Sequence, residues 1–120
     1  MNVVITGASS GIGRALAKTF AEKGHAVIAV ARRKELLQSL CQEMLDLHDA
    51  EVHPLELDIT YKNATEILYE EAIRIFRKVH VLINNAGMSP YQKFQELSHL
   101  HINQIISLNI NSLTELCHVF

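Results

Sequence analysis

An α/β architecture follows from three features of the sequence. Short apolar runs alternate with longer segments of helical period, the pattern of strands and crossover helices in a parallel sheet. The first, second and fourth runs are nearly all apolar, as strands buried on both faces require. No repeat, low-complexity tract or Pro/Gly-rich linker interrupts the 120 residues, so a single domain over 1–120 is expected.

In chain order, Val3 to Thr6 reads as the first strand. Ile12, Leu16 and Phe20 then recur at helical spacing and predict a helix over Gly11 to Lys23, with Gly24 as its C-cap. Ala26 to Ala31 is the second strand, and Leu36, Leu37, Leu40, Cys41, Met44 and Leu45 form the stripe of a second helix. Glu51 to Leu57 is the third strand, Ile67, Leu68, Ile75 and Phe76 mark a third helix, and Val79 to Asn84 is the fourth strand. A last helix runs from Ser98, a candidate N-cap, through Ile102, Ile105, Ile106, Leu113 and Leu116 to Phe120, ending in mid-pattern.

Right-handed crossovers add strands two and three on one side of strand one and return the fourth to its other side. The result is a Rossmann-like doubly wound sheet of order 3-2-1-4. Ligands of such sheets bind beyond the carboxyl ends of the strands where the order reverses. The segment "TGASSGIG", Thr6 to Gly13, and the turn after "LINN" both converge there.

Composition narrows the partners. Eleven Lys+Arg against 13 Asp+Glu give a formal net charge of -2, which excludes the strongly basic field of a general nucleic-acid binder. Nothing approaches the roughly 18 apolar residues of a membrane span, and no signal peptide is visible, so a soluble cytoplasmic protein is expected. Cys41 and Cys117 lie in helical segments without CxxC spacing and read as buried free thiols in a reducing compartment. The histidines lack HExxH spacing or a Cys partner, and His99 and His101 point to different helix faces, so no metal site is expected.

Gly7, Gly11 and Gly13 follow a strand and open a helix, so backbone N–H groups and the positive helix end can meet a pyrophosphate without obstruction by Cβ. Ser9 and Ser10 add hydroxyl donors. A Walker loop is excluded, because no Lys-Ser/Thr pair follows the last glycine. At the end of strand two, where a NAD site places an acidic residue for the ribose hydroxyls, the chain has Ala31 followed by Arg32 and Arg33. Two cations in a first helical turn oppose the macrodipole, and their guanidinium forks suit a 2′-phosphate, which favours NADP(H).

Asp58, in "LDIT", either accepts a bond from an adenine amino group or caps the following helix. "NNAG", Asn84 to Gly87, sets two amides after a buried strand, where polar groups need partners. Asn109 shares a helical stripe with Ile105 and Leu113, an amide in an otherwise apolar face that reads on spacing alone as a satisfied buried Asn.

Together these residues resemble the short-chain dehydrogenase/reductase family in its common single-domain subtype: TGxxxGxG at Thr6 to Gly13, the acidic Asp58, and NNAG at Asn84 to Gly87. "SLNINSL" around Asn109 is similar to the helix segment that carries the Asn of the family's catalytic tetrad. The resemblance implies that Gly7, Ser9, Ser10, Gly11, Ile12 and Gly13 hold the pyrophosphate side of NADP(H), with Arg32, beside Arg33, selecting the 2′-phosphate. It implies that Asp58 and Ile59 line the adenine site, and that Asn85, Ala86 and Gly87 flank the nicotinamide-side ribose. Asn109 would help hold a water in a proton relay. The implied activity is an NADP(H)-dependent oxidoreductase that passes hydride between the nicotinamide and a small-molecule carbonyl or secondary alcohol. The family commonly pairs through the helix that carries Asn109 and the one after it, so a homo-oligomer is expected of the full-length protein.

The sequence departs from the family in one respect. The family's Ser and Tyr-x-x-x-Lys are not among these residues: four positions after Tyr61 stands Thr65, after Tyr69 Ile73, and after Tyr91 Gln95. In the family that Tyr, its pKa lowered by the Lys, delivers the proton as hydride arrives. The chain is therefore expected to be the cofactor-binding, N-terminal part of a longer reductase, incomplete before a fifth strand and inactive alone. Its fourth strand would then form an exposed edge. The alternatives are a non-catalytic dinucleotide-binding sensor or interaction module, and an inactive truncated fragment.

Overall fold

A computed structural model describes residues 1–120. Its elements are β1 (Asn2–Thr6), α1 (Gly11–Glu22), β2 (Ala26–Ala31), α2 (Lys34–His48), β3 (Val52–Glu56), α3 (Ala64–Phe76) and β4 (Val81–Ile83), then a 3-10 turn (Phe94–Glu96), α4 (His99–Ile106), a π turn (Ser107–Ser112) and α5 (Leu113–Val119). The four strands are parallel in the order β3-β2-β1-β4, the doubly wound arrangement that the apolar runs and crossovers predict. The register aligns Val4 with Ile28 on one side and with Leu82 on the other.

Alternation along the strands divides the core into two layers. Val3 and Ile5 of β1 and Val27, Ala29 and Ala31 of β2 pack with Ala17 and Ala21 of α1 and with Leu37, Leu40 and Met44 of α2. On the opposite face, Val4, Ile28 and Val30 meet Leu68 and Ala72 of α3 and Leu116 of α5. Each fully buried aliphatic side chain contributes roughly 1.5 to 3 kcal/mol, so the central strands β1 and β2 anchor the fold. Pro54 is tolerated because β3 is an edge strand.

Several expectations are corrected by tertiary packing. The face that α1 turns to the sheet is Gly13, Ala17 and Ala21; Leu16 and Phe20 are only partly buried, and Ile12 is 74% exposed. The helix lies so close to the sheet that only small residues fit between them. Strand four is three residues long and nowhere fully buried, because it lies at the sheet edge with a neighbour on one side only. β3 likewise covers Val52–Glu56 rather than Glu51 to Leu57. Lys23 caps α1, and Gly24 follows it with φ +75, the left-handed conformation that suits glycine.

Ser98 does cap the last helix, its hydroxyl accepting the His101 N–H at 3.2 Å. That helix is not uniform, since the π turn over Ser107–Ser112 adds a residue to the winding and rotates the helix beyond it. Leu113 therefore does not share Asn109's stripe into the core; it is exposed, while Ser112 and Leu116 turn inward. The Ser112 hydroxyl contacts the Ile59 and Ser107 carbonyls at 2.8 and 2.9 Å. The same rotation leaves Cys117 exposed rather than buried. Cys41 is half-buried against the α1–α2 core, and burial pushes its thiol above the ordinary range. No helix is long and apolar enough to cross a membrane.

Candidate functional site

A cavity of about 820 Å³ opens beyond the carboxyl ends of the strands, where the strand order reverses between β1 and β4. It brings together Gly7, Ser9, Ser10, Arg32, Arg33, Asp58, Ile59, Asn85, Ala86 and Gly87 from four separate stretches of sequence. Its size falls within the range of small-molecule and cofactor sites. Gly11, Ile12, Gly13 and Asn109 do not line it. The glycines among them shape the backbone next to it, and Asn109 acts on its wall through Met88.

The glycine loop is built by conformation and by contact. Gly7 and Gly11 adopt φ +68 and +57, which side chains disfavour. A Cβ at Gly11 would meet nothing within 4 Å, whereas one at Gly13 would lie under 3.0 Å from Gly7 O and Asn85 Nδ2. Gly13 therefore lets α1 seat directly on the loop. Ser10 is the N-cap of α1 yet gives no side-chain cap, and the first turn holds no acidic residue. Instead the hydroxyls of Ser9 and Ser10 accept bonds from Arg33 Nη2 at 3.0 and 2.8 Å. The N–H groups at the start of α1 are thus left without an intrahelical or side-chain acceptor, beside a guanidinium, an arrangement that suits a phosphate.

The two arginines differ. Arg33 is the N-cap of α2 and is tied into the glycine loop, whereas Arg32 is 75% exposed, with Nη1 3.8 Å from Asp58 Oδ2. Asp58 Oδ1 accepts from the Thr60 amide and hydroxyl at 3.0 and 2.7 Å, closing a tight turn. It does not cap α3, whose N-cap is Asn63, so the capping role left open by the sequence is not taken.

Across the cavity the polar groups are uncharged. The buried Thr6 hydroxyl accepts the amides of Asn85 and Ala86, both at 3.1 Å, and donates to Ile83 O at 3.4 Å. Asn85 Nδ2 donates to Thr6 O and Gly7 O at 3.1 and 3.3 Å. The amides of "NNAG" therefore join the ends of β1 and β4. Asn84 is less satisfied: Nδ2 contacts Cys117 Sγ at 3.4 Å, and its buried Oδ1 has no partner. Asn109 grips the backbone of Met88 at two points, accepting its N–H at 3.0 Å and donating to its carbonyl at 2.7 Å. A Cβ at Gly87 would lie 3.1 Å from Asn109 Oδ1, so the absence of a side chain there keeps this grip close.

Sequence reasoning missed part of the lining: Thr60, Tyr61, Met88, Asn103, Gln104, Ser107 and Leu108. Asn103 and Ser107 are one helical turn apart, a polar pair facing one way that the apolar pattern of the last helix conceals. No three His, Cys, Asp or Glu side chains gather as metal ligands.

Comparison with known proteins identifies the family and the fold. Residues 1–120 match the sequence profile of the family described as short chain dehydrogenase. Sulfoacetaldehyde reductase 2 of Chromohalobacter salexigens is 36% identical over 117 residues, 97% of this chain and 46% of its own length. A probable NADP-dependent dehydrogenase of Dichelobacter nodosus is 44% identical over 89 residues, 74% of this chain and 80% of its own. Among solved structures, a short-chain dehydrogenase from Sphingobium yanoikuyae in complex with NADPH superimposes with a TM-score of 0.89 at 36% identity, over 98% of this chain and 46% of that one. The chain thus spans about half the length of most of these proteins.

Proposed function

The chain belongs to the short-chain dehydrogenase family, and from that premise we propose that it is the cofactor-binding part of an NADP(H)-dependent oxidoreductase acting on a carbonyl or secondary alcohol. The observation that carries the cofactor choice is the Arg33 guanidinium, held by the Ser9 and Ser10 hydroxyls at the end of β2 where Ala31 leaves no carboxylate to compete. The uncapped start of α1 offers amide donors to the pyrophosphate through Gly11, Ile12 and Gly13. Arg32 covers the 2′-phosphate from the solvent side. Asp58 and Ile59 line the adenine end, and Asn85, Ala86 and Gly87 the opposite ribose.

When bound, the cofactor supplies the hydride chemistry, and the protein supplies orientation. Asn109 contributes as a positioning residue, fixing Met88 at the wall of the cavity, and through that wall it supports the family's proton relay. In this reading residues 1–120 bind and orient the cofactor, and without a Tyr-x-x-x-Lys they are not expected to turn over substrate alone. A reducing, cytoplasmic setting suits the free thiols of Cys41 and Cys117, and the exposed Ile106, Ile110 and Leu113 suit a homo-oligomer.

Titration of the protein with NADPH and with NADH, read by nicotinamide fluorescence, tests the reading. NADPH is expected to bind at least about 10-fold more tightly, as one charge-assisted bond implies. Arg32→Asp is expected to shift the preference toward NADH. Equal affinities, or no binding of either, would overturn the assignment. Ketone reduction by the full-length protein separates an enzyme from a dinucleotide sensor.

A further inference from the structure

The starts of α1 and α2 exchange arginines. Arg14, in the first turn of α1, reaches forward: Nη1 donates to the Leu36 carbonyl in the first turn of α2 at 2.8 Å, and Nη2 to Glu43 Oε2 at 2.8 Å and Ser39 Oγ at 3.3 Å. Arg33, the N-cap of α2, reaches back to Ser9 and Ser10 at the entry to α1. The two arms close a ring that runs from the glycine loop through Arg33, the first turn of α2 and Arg14 back to α1. Glu43 completes it from outside the cavity, binding Arg14 with one carboxylate oxygen and Lys18 with the other.

A partly exposed ion pair adds little stability by itself, so its presence does not explain why this one is linked to a backbone carbonyl beside the site. The link to Leu36 O supplies a reason. That carbonyl lies in the turn that Arg33 caps, and the bond from Leu37 N–H to Arg33 O in this turn is long, at 3.3 Å. The bond from Arg14 thus holds, from α1, the same turn of α2 from which Arg33 reaches the serines. Arg14 can fork to Leu36 and Glu43 together only while the carboxylate fixes the orientation of its guanidinium plane.

We propose that Glu43 is a positioning residue for cofactor discrimination, holding Arg14, and through it the start of α2, so that Arg33 stays over Ser9 and Ser10. The proposal rests on the NADP(H) reading above and adds to it a residue that touches neither cavity nor cofactor. Its consequence is selective. Loosening the ring weakens recognition of the 2′-phosphate and leaves the contacts that NADPH and NADH share.

The test is Glu43→Gln, of the same shape without the charge, with Arg33→Ala as the control. NADPH and NADH affinities are measured by fluorescence titration, and amide hydrogen exchange across 34–37 is measured on the ligand-free protein. The expected result is a fall of about 3- to 10-fold in NADPH affinity with NADH affinity unchanged, and faster exchange in the first turn of α2. Arg14→Lys, which keeps the cation but cannot fork, is expected to show the same pattern and carries the test if Glu43→Gln does not fold. If Arg33→Ala removes the preference while both ring variants keep it, or weaken both nucleotides equally, the role of Glu43 is overturned. If Arg33→Ala leaves the preference unchanged, Arg33 does not select the 2′-phosphate and the role of Glu43 falls with it; equal affinities of the parent for NADPH and NADH overturn the NADP(H) reading itself.

Discussion

On one side of the cavity Arg33 reaches back to Ser9 and Ser10 while Arg14 reaches forward to Leu36 and Glu43; on the other, Thr6 and Asn85 join the ends of β1 and β4 with a hydroxyl and amides. The first side is charged and partly open to solvent, and its groups can give up their internal partners to an anion. The second is neutral and, apart from the unpartnered Asn84 Oδ1, satisfied by its own hydroxyl and amides, so it holds its shape whatever is bound. A pocket that must admit a charged ligand and still fix a reacting centre uses both: adaptable charge where the ligand is anchored, fixed amides where geometry matters.

Gly13 belongs to both sides, because a Cβ there would crowd Gly7 O and Asn85 Nδ2 at once. Gly13→Ala is therefore expected to have the largest effect, about 3 kcal/mol or loss of the fold, measured by urea unfolding. A variant as stable as the parent would show that the two sides do not meet there. Thr6→Val comes next. It keeps the shape but leaves the Asn85 and Ala86 amides without their acceptor, and about 2 kcal/mol of stability is expected to go, equally at low and high salt. Salt dependence of that loss would break the contrast between the two sides.

Asn109→Leu is expected to cost about 1 kcal/mol, with faster hydrogen exchange at Met88, since it removes a partly exposed two-point grip. The smallest effect belongs to the charged side and depends on pH. Hydrogen bonds from Lys18 and then Arg14 hold the Glu43 carboxyl below the ordinary glutamate range. A depressed folded value means that the stabilisation is fully present above the unfolded pKa of about 4.3 and is lost as pH falls through the lowered folded value. Thermal midpoints of the parent and Glu43→Gln are expected to differ slightly at pH 7 and to converge as pH falls through the lowered folded value.

Where local chemistry decides, the sequence was readable. β1 and β2 are continuous apolar runs, Ser98 caps as its type suggests, and the order β3-β2-β1-β4 follows from crossover handedness. Half of the residues lining the cavity stand out in the sequence, because glycine, arginine and asparagine are costly in such places without a partner. What escaped depends on distance in three dimensions. Ile12 completes an apolar stripe on paper, but the close seating of α1 puts Gly13 inward instead. The π turn carries no local signature, so the outward rotation of Leu113 and Cys117 and the polar face of Asn103 and Ser107 were hidden. Neighbouring arginines look alike in sequence, and only the fold separates Arg33, held by two serines, from Arg32, turned to solvent.

The most direct test of the central claim is an NMR titration of the isotope-labelled protein with 2′,5′-ADP and, separately, with 5′-AMP, ligands that differ by the 2′-phosphate alone. The account predicts saturable shifts at the amides of Ser9, Ser10 and Arg33 with 2′,5′-ADP and much smaller ones with 5′-AMP, while Asn85 and Ala86 stay unmoved by either. Equal shifts with both ligands, or shifts confined to residues outside the cavity, would contradict it.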